Sequence, residues 1–133
     1  MLSLTLYAQL MGPMRIHARG GSTMPSYLIQ LSYSPEALAA MIKKPQDRRE
    51  VITKLVSQFG GTLVGSWLCF GEYDAILVIE APDNASAAAC SLAVSSSGAF
   101  KAFKTTPLLS VEEGMAAMKK AGKLNYKPPT GKK

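Results

Sequence analysis

Glu72, Tyr73 and Asp74 follow one another after an apolar run, two carboxylates flanking a phenol. Held at the mouth of a cavity, such a trio could move protons as general acid and base, or grip a polar ligand. The same residues also suit a plain turn, in which Gly71 supplies unusual backbone angles and Asp74 hydrogen-bonds nearby backbone. Trp67 lies just upstream, and its indole N–H needs a partner when buried. Packing in a core or a dimer interface accounts for it; so does a catalytic site shared with Tyr73 and Asp74. Gln30, Ser32 and Tyr33 on an early strand, with Lys104 and Thr106 on a later one, are polar exceptions among apolar neighbours. They either face solvent at an edge or line a pocket. The candidate ligand-binding set is therefore Gln30, Tyr33, Trp67, Glu72, Tyr73, Lys104 and Thr106.

Other chemistries find little purchase. The two cysteines, Cys69 and Cys90, sit inside apolar and alanine-rich runs and read as small buried hydrophobes rather than a bridge. Their spacing matches no zinc pattern, and the lone His17 lies outside the core, so no metal site is expected. Gly60-Gly61 and Gly20-Gly21 lack the context of a phosphate loop. No cofactor is expected. Arg48 and Arg49 open a helix, where cations oppose the helix dipole; they read as a solvated face, paired with Asp47 or Glu50.

Local signals set the elements that must position these residues. Ser26–Tyr33 alternates Tyr27, Ile29, Leu31 and Tyr33 against Leu28, Gln30 and Ser32, the period of a strand. Ser34-Pro35 stops it and offers an N-cap with proline at the first helical position. One helical stretch runs to Lys43; a second, with Val51, Ile52, Leu55, Val56 and Phe59 as its stripe, ends at Gly60-Gly61. Thr62–Phe70 and Asp74–Glu80 form a hairpin around Gly71. Their alternation sets Leu63, Trp67 and Cys69 against Val64, Leu68 and Phe70. Asp83 caps an Ala/Ser-rich helix from Asn84 to about Ser96, whose apolar side is read as Ala85, Ala88, Ala89, Leu92 and Ala93. Ala99–Leu109 is a fourth strand with Pro107 marking an edge or irregular end. A capping box at Ser110–Glu113 starts a last helix carrying Val111, Met115 and Met118.

The order β-α-β-β-α-β plus a C-terminal helix is that of the α+β ferredoxin-like unit, an antiparallel sheet with helices on one face. The hairpin strands are apolar on both faces, whereas a sheet with one wet face alternates with polar residues. Something must cover the second face. A homodimer with two-fold symmetry does so, closing a dimeric α/β barrel; residues 1–23 folded over the sheet are the rival cover.

The 133 residues carry 15 Lys+Arg against 9 Asp+Glu, net +6. Residues 1–23 contribute +2 through Arg15 and Arg19, and residues 119–133 contribute +6. Residues 24–118 hold the other 7 basic residues and all 9 acids, net −2, so the folding segment is mildly acidic and nucleic acid is an unlikely partner. No apolar run approaches the ~20 residues of a membrane span, and a cytoplasmic protein is expected. The domain is read as 24–121, with 122–133 as a basic tail and 1–23 as an extension or an upstream start.

Residues 24–118 resemble the GYD-domain family, named for a Gly-Tyr-Asp signature after the second strand. The match is carried by Leu68-Cys-Phe-Gly71-Glu72-Tyr73-Asp74, the opening Met-Pro-Ser-Tyr, the Phe59-Gly-Gly turn and Glu80-Ala-Pro-Asp83. Here Glu72 splits the tripeptide. The resemblance implies a dimeric α/β barrel from a bacterial or archaeal source and no defined activity. Two functions follow as expectations: a homodimeric module binding a small apolar or aromatic molecule in the barrel cleft, or a cofactor-independent monooxygenase or isomerase.

Overall fold

A computed structural model describes residues 24–130; the extension 1–23 and residues 131–133 lie outside the described residues. Four strands, β1 (Ser26–Tyr33), β2 (Thr62–Leu68), β3 (Ala75–Glu80) and β4 (Phe100–Leu108), form one sheet in the order β2-β3-β1-β4. Every neighbouring pair is antiparallel. Helices α1 (Pro35–Lys43) and α2 (Arg49–Ser57) connect β1 to β2, α3 (Asn84–Ser95) connects β3 to β4, and α4 (Val111–Ala121) follows β4. The architecture is α+β and ferredoxin-like, with the proline-bearing β4 at an edge where its missing N–H costs least.

Caps fix the helix starts. Ser34 Oγ accepts the Ala37 N–H at 3.1 Å, with Pro35 opening α1. Asp83 Oδ1 accepts the Ser86 N–H at 2.7 Å, and the cap holds the Asp83 carboxyl below its ordinary pKa. Ser110 and Glu113 exchange both bonds of a capping box. At the end of α2, Gly61 N–H reaches Val56 C=O while Gly60 N–H reaches Ser57 C=O, a Schellman closure in which Gly60 has φ 79°.

The core lies on one face of the sheet. Tyr27, Ile29 and Leu31 of β1 pair with Ile79, Leu77 and Ala75 of β3, and Val56 of α2 and Ala87 of α3 close over them. Tyr27 is buried, and its hydroxyl donates to Asn84 Oδ1 at 2.6 Å, tying the start of α3 to β1. Ser91 and Thr105 add a second tie at 2.7 Å between α3 and β4.

Three sequence readings are corrected. Helix α3 buries Ala87 and Cys90, whereas Leu92 is 71% exposed and Ala85, Ala88 and Ala89 are exposed as well; of the expected set Ala93 lines the groove over the sheet. A helix with alanine on every side has no apolar stripe to orient it; the ties at Asn84 and Ser91 set its rotation instead. In β2 a register shift between Leu63 and Gly65 breaks the simple alternation. Leu63 pairs with Ile79 and Leu68 with Ala75, both on the core face, so Trp67 points to the opposite face from Leu63. The hairpin strands also stop short of the expected Phe70 and start after Asp74.

Candidate functional site

Helix α2 rests on β2 and α3 rests on β4. Central strands β1 and β3 are thereby left as the floor of a groove between the two helix layers. Ile29, Leu31, Leu77 and Ile79 form that floor, Met41, Val51, Ile52 and Leu55 one wall, and Cys90, Val94, Phe100 and Phe103 the other. The cavity measures about 520 Å³, within the range of small-molecule sites. Tyr33 and Phe100 stack at 5.2 Å between ring centroids, and Phe100 meets Phe103 edge-on at 5.7 Å, so one side is a run of aromatic rings.

A smaller cavity of about 270 Å³ adjoins it and shares Leu31, Tyr33, Met41, Gln46, Arg48 and Ile52. This end is polar. Asp47 and Arg49 form an ion pair at 2.6 Å, and hydrogen bonds from Arg49 hold the Asp47 carboxyl down at about 2. Glu50 pairs with Lys54 at 2.9 Å. Arg48 has neither acid; it donates to Gln46 Oε1 at 3.1 Å and forms no ion pair among the described residues. Burial raises the Tyr33 phenol above its ordinary pKa, Arg48 pulls it back, and Asp74 pushes it up. The phenol is therefore a proton donor at neutral pH.

The loop between β2 and β3 is fastened to the end of β1. Asp74 Oδ2 accepts the Tyr33 N–H at 2.9 Å, and Asp74 N–H donates to Leu31 C=O at 2.8 Å. Ser32 Oγ donates to Glu72 C=O at 2.8 Å, and Cys69 N–H donates to Asp74 C=O at 2.8 Å. Cys69 Sγ lies 3.1 Å from Tyr73 C=O.

The family model described as the GYD domain matches residues 27–118, more than half of the chain. The chain belongs to the GYD domain family. A relative of this GYD domain is a Thermus thermophilus protein named "Glutamine synthetase and cystathionine beta-lyase binding protein". It is 28% identical over 96 residues, which are 72% of this chain and all of that protein. Among solved structures, MtbAldR superposes with a TM-score of 0.51 at 14% identity, covering 80% of this chain and 68% of that one, which shows the shared fold. A protein of unknown function from Nitrosomonas europaea gives a TM-score of 0.38 at 16% identity, covering 68% of this chain and 95% of that one.

Within this GYD domain the candidate residues from the sequence do not converge. Tyr33 lines the groove. Gln30 and Lys104 face each other across β1 and β4, Thr106 sits opposite Leu28, and Trp67 sits opposite Ile76; all four lie on the sheet face away from the groove. Glu72 and Tyr73 contribute backbone carbonyls to the loop, and the Asp74 carboxylate is engaged by Tyr33 N–H. None of Trp67, Tyr73 and Asp74 lines either cavity. The sequence reading passed over the groove itself, which is assembled from segments as far apart as Tyr33, Arg48 and Phe103. It also set Arg48 aside as one of a paired, solvated couple. The signal was there: a cation at a helix start is unfavourable unless something offsets it. Among the described residues no group of His, Cys, Asp and Glu comes together as metal ligands.

Proposed function

We propose that this GYD domain is a homodimeric binding module in which two copies meet through their open sheet faces and each helix-side groove holds a small apolar or aromatic molecule. One observation carries the reading: the β2–β3 half of the sheet is apolar on both sides, and the three helices that pack on the sheet attend to only one. Leu28, Ile76, Val78 and Trp67 adjoin across three strands on the other side, and Trp67 is 55% exposed. A symmetric copy presents the same patch and buries both at once. Met115 and Met118 on α4 are exposed as well. The working unit is residues 24–121, and the free thiols of Cys69 and Cys90 suit the reducing cytoplasm. No helix among the described residues is long and apolar enough to cross a membrane.

Light scattering on the eluting protein tests the dimer. A species of twice the 14.2 kDa chain mass is expected at micromolar concentration, and Ile76→Asp, which puts a charge into the patch, should halve it. A wild-type monomer overturns the reading.

The name of the Thermus relative favours a second reading, a module that binds enzymes. Leu68 is 78% exposed and Phe70 fully so, an apolar pair beside the loop that a protein partner could cover. Titration against glutamine synthetase tests it: binding weakened by Phe70→Ser supports this reading, and no heat of binding removes it. The enzyme reading built on Trp67, Tyr73 and Asp74 has less geometric support, because the three face different surroundings.

A further inference from the structure

We infer that the groove is selective for an apolar or aromatic carboxylate, its body lying along the Tyr33–Phe100–Phe103 wall and its acid group meeting the Arg48 guanidinium and the Tyr33 hydroxyl. This rests on the groove being the ligand site proposed above and adds the chemical class of its occupant. The interior supplies apolar and aromatic contact over about 520 Å³. The adjoining end supplies a charge: among the described residues that line the groove, Arg48 carries the one charged side chain. Asp47 is neutralised by Arg49 at 2.6 Å and Glu50 by Lys54 at 2.9 Å, while Asp74, whose partner is the neutral Tyr33 N–H at 2.9 Å, lines neither cavity. Arg48 is the groove-lining cation without an acid among the described residues, and there its guanidinium donates to the neutral Gln46.

Its position adds to the effect. Arg48 is the N-cap of α2 and provides no side-chain cap, so the positive end of the helix dipole lies beside the guanidinium. The Asp47 carboxylate already accepts the Arg49 N–H at 3.0 Å at this helix start, and a bound anion meets the Arg48 charge that Asp47, paired with Arg49, leaves over. Arginine presents parallel N–H donors that match the two oxygens of a carboxylate. The Tyr33 phenol, protonated at neutral pH, adds a neutral donor from the strand side. A neutral apolar molecule would use the walls and leave this end unsatisfied; a cation would be repelled by it.

Two probes of equal shape separate the contributions: 2-naphthoate and its neutral amide, 2-naphthamide. Each is titrated calorimetrically into the full-length protein, with methyl NMR of Ile29, Ile52 and Leu55 reporting the place of binding. The expected result is a preference of roughly fivefold or more for the acid, the scale of a partly exposed charged contact. Arg48→Gln should abolish the preference by weakening naphthoate far more than naphthamide, and Tyr33→Phe should reduce it while keeping the stacked ring. Arg48 is exposed, so its replacement leaves the core intact. Equal binding of the two probes in the groove, or a preference that survives Arg48→Gln, overturns this inference and leaves the groove standing as a binding site. Absence of groove-methyl shifts at millimolar concentrations of either probe overturns the groove reading and this inference with it.

Discussion

The Asp74 carboxylate accepts the backbone N–H of Tyr33 at 2.9 Å, while the Asp74 N–H donates to the carbonyl of Leu31. One residue thus takes over the ladder of β1 beyond the point where β3 begins, holding the strand end that presents Tyr33 to the groove. The Gly-Glu-Tyr-Asp stretch is in this respect a fastening whose last residue acts across the sheet.

Replacing Asp74 with Ala should therefore lower stability by about 1–3 kcal/mol, since a half-buried N–H loses its acceptor. Asp74→Asn keeps an oxygen in place and should cost less. Tyr73→Phe should leave the melting temperature unchanged within about 2 °C, because Tyr73 serves the loop through its backbone. Calorimetric melting of the three variants checks the order, and a destabilisation by Tyr73→Phe equal to that of Asp74→Ala would contradict it.

Two glycines give opposite predictions. A Cβ at Gly61 would stand 2.6 Å from the Glu80 carbonyl oxygen and 2.8 Å from Val56 Cγ1, where backbone cannot yield. Gly61→Ala should cost about 1–3 kcal/mol. Gly114, inside α4, has open space where its Cβ would be, and Gly114→Ala should gain about 0.5–1 kcal/mol through helix propensity. Urea midpoints of both variants suffice to compare them.

Tyr27 makes stability fall at high pH. Burial first, and the Asp83 charge second, raise its pKa above the ordinary 10.0. The folded state holds this proton more tightly than the unfolded chain. The resulting stabilisation is complete below pH 10.0 and disappears as pH rises through the higher folded value. Denaturant midpoints measured from about pH 9 to 11 should decline, and Tyr27→Phe should shrink that decline, at a cost of about 1 kcal/mol for the lost bond to Asn84.

The two thiols should react at very different rates. Cys90 is buried against the groove, and burial pushes its pKa up, so little thiolate forms and little reagent reaches it. Cys69 is half-buried near the loop. A chromogenic disulfide at mildly alkaline pH should modify Cys69 in the native protein and Cys90 only after denaturant is added. Equal rates in the native state would show that the groove wall opens readily.

Much of the fold was legible because its punctuation is local. Ser34-Pro35, Asp83 and the Ser110–Glu113 box act within three residues of themselves, and β1 alternates cleanly because one of its faces is core. What stayed hidden depends on distant partners. The rotation of α3 is decided by Tyr27 and Thr105, which its alanines give no hint of. The offset in β2 comes from a bulge beside Gly65, where the Trp67 ring folds back over the space a Cβ would occupy. The site was the least legible part, since a groove exists only once Tyr33, Arg48 and Phe100 have been brought together. Arg48 still advertised itself by sitting where a helix disfavours a cation.

Strand β1 runs between β3 and β4 with Tyr27, Ile29 and Leu31 on one side and Leu28 and Gln30 on the other. A single inserted or deleted residue there exchanges the two sets and ruins both surfaces together. Length is therefore fixed more tightly in this segment than anywhere at the sheet margins, and related chains that diverge in either surface can do so by changing side chains but not the count. The strand is a shared wall, and neither of the rooms it divides can be remodelled by moving it.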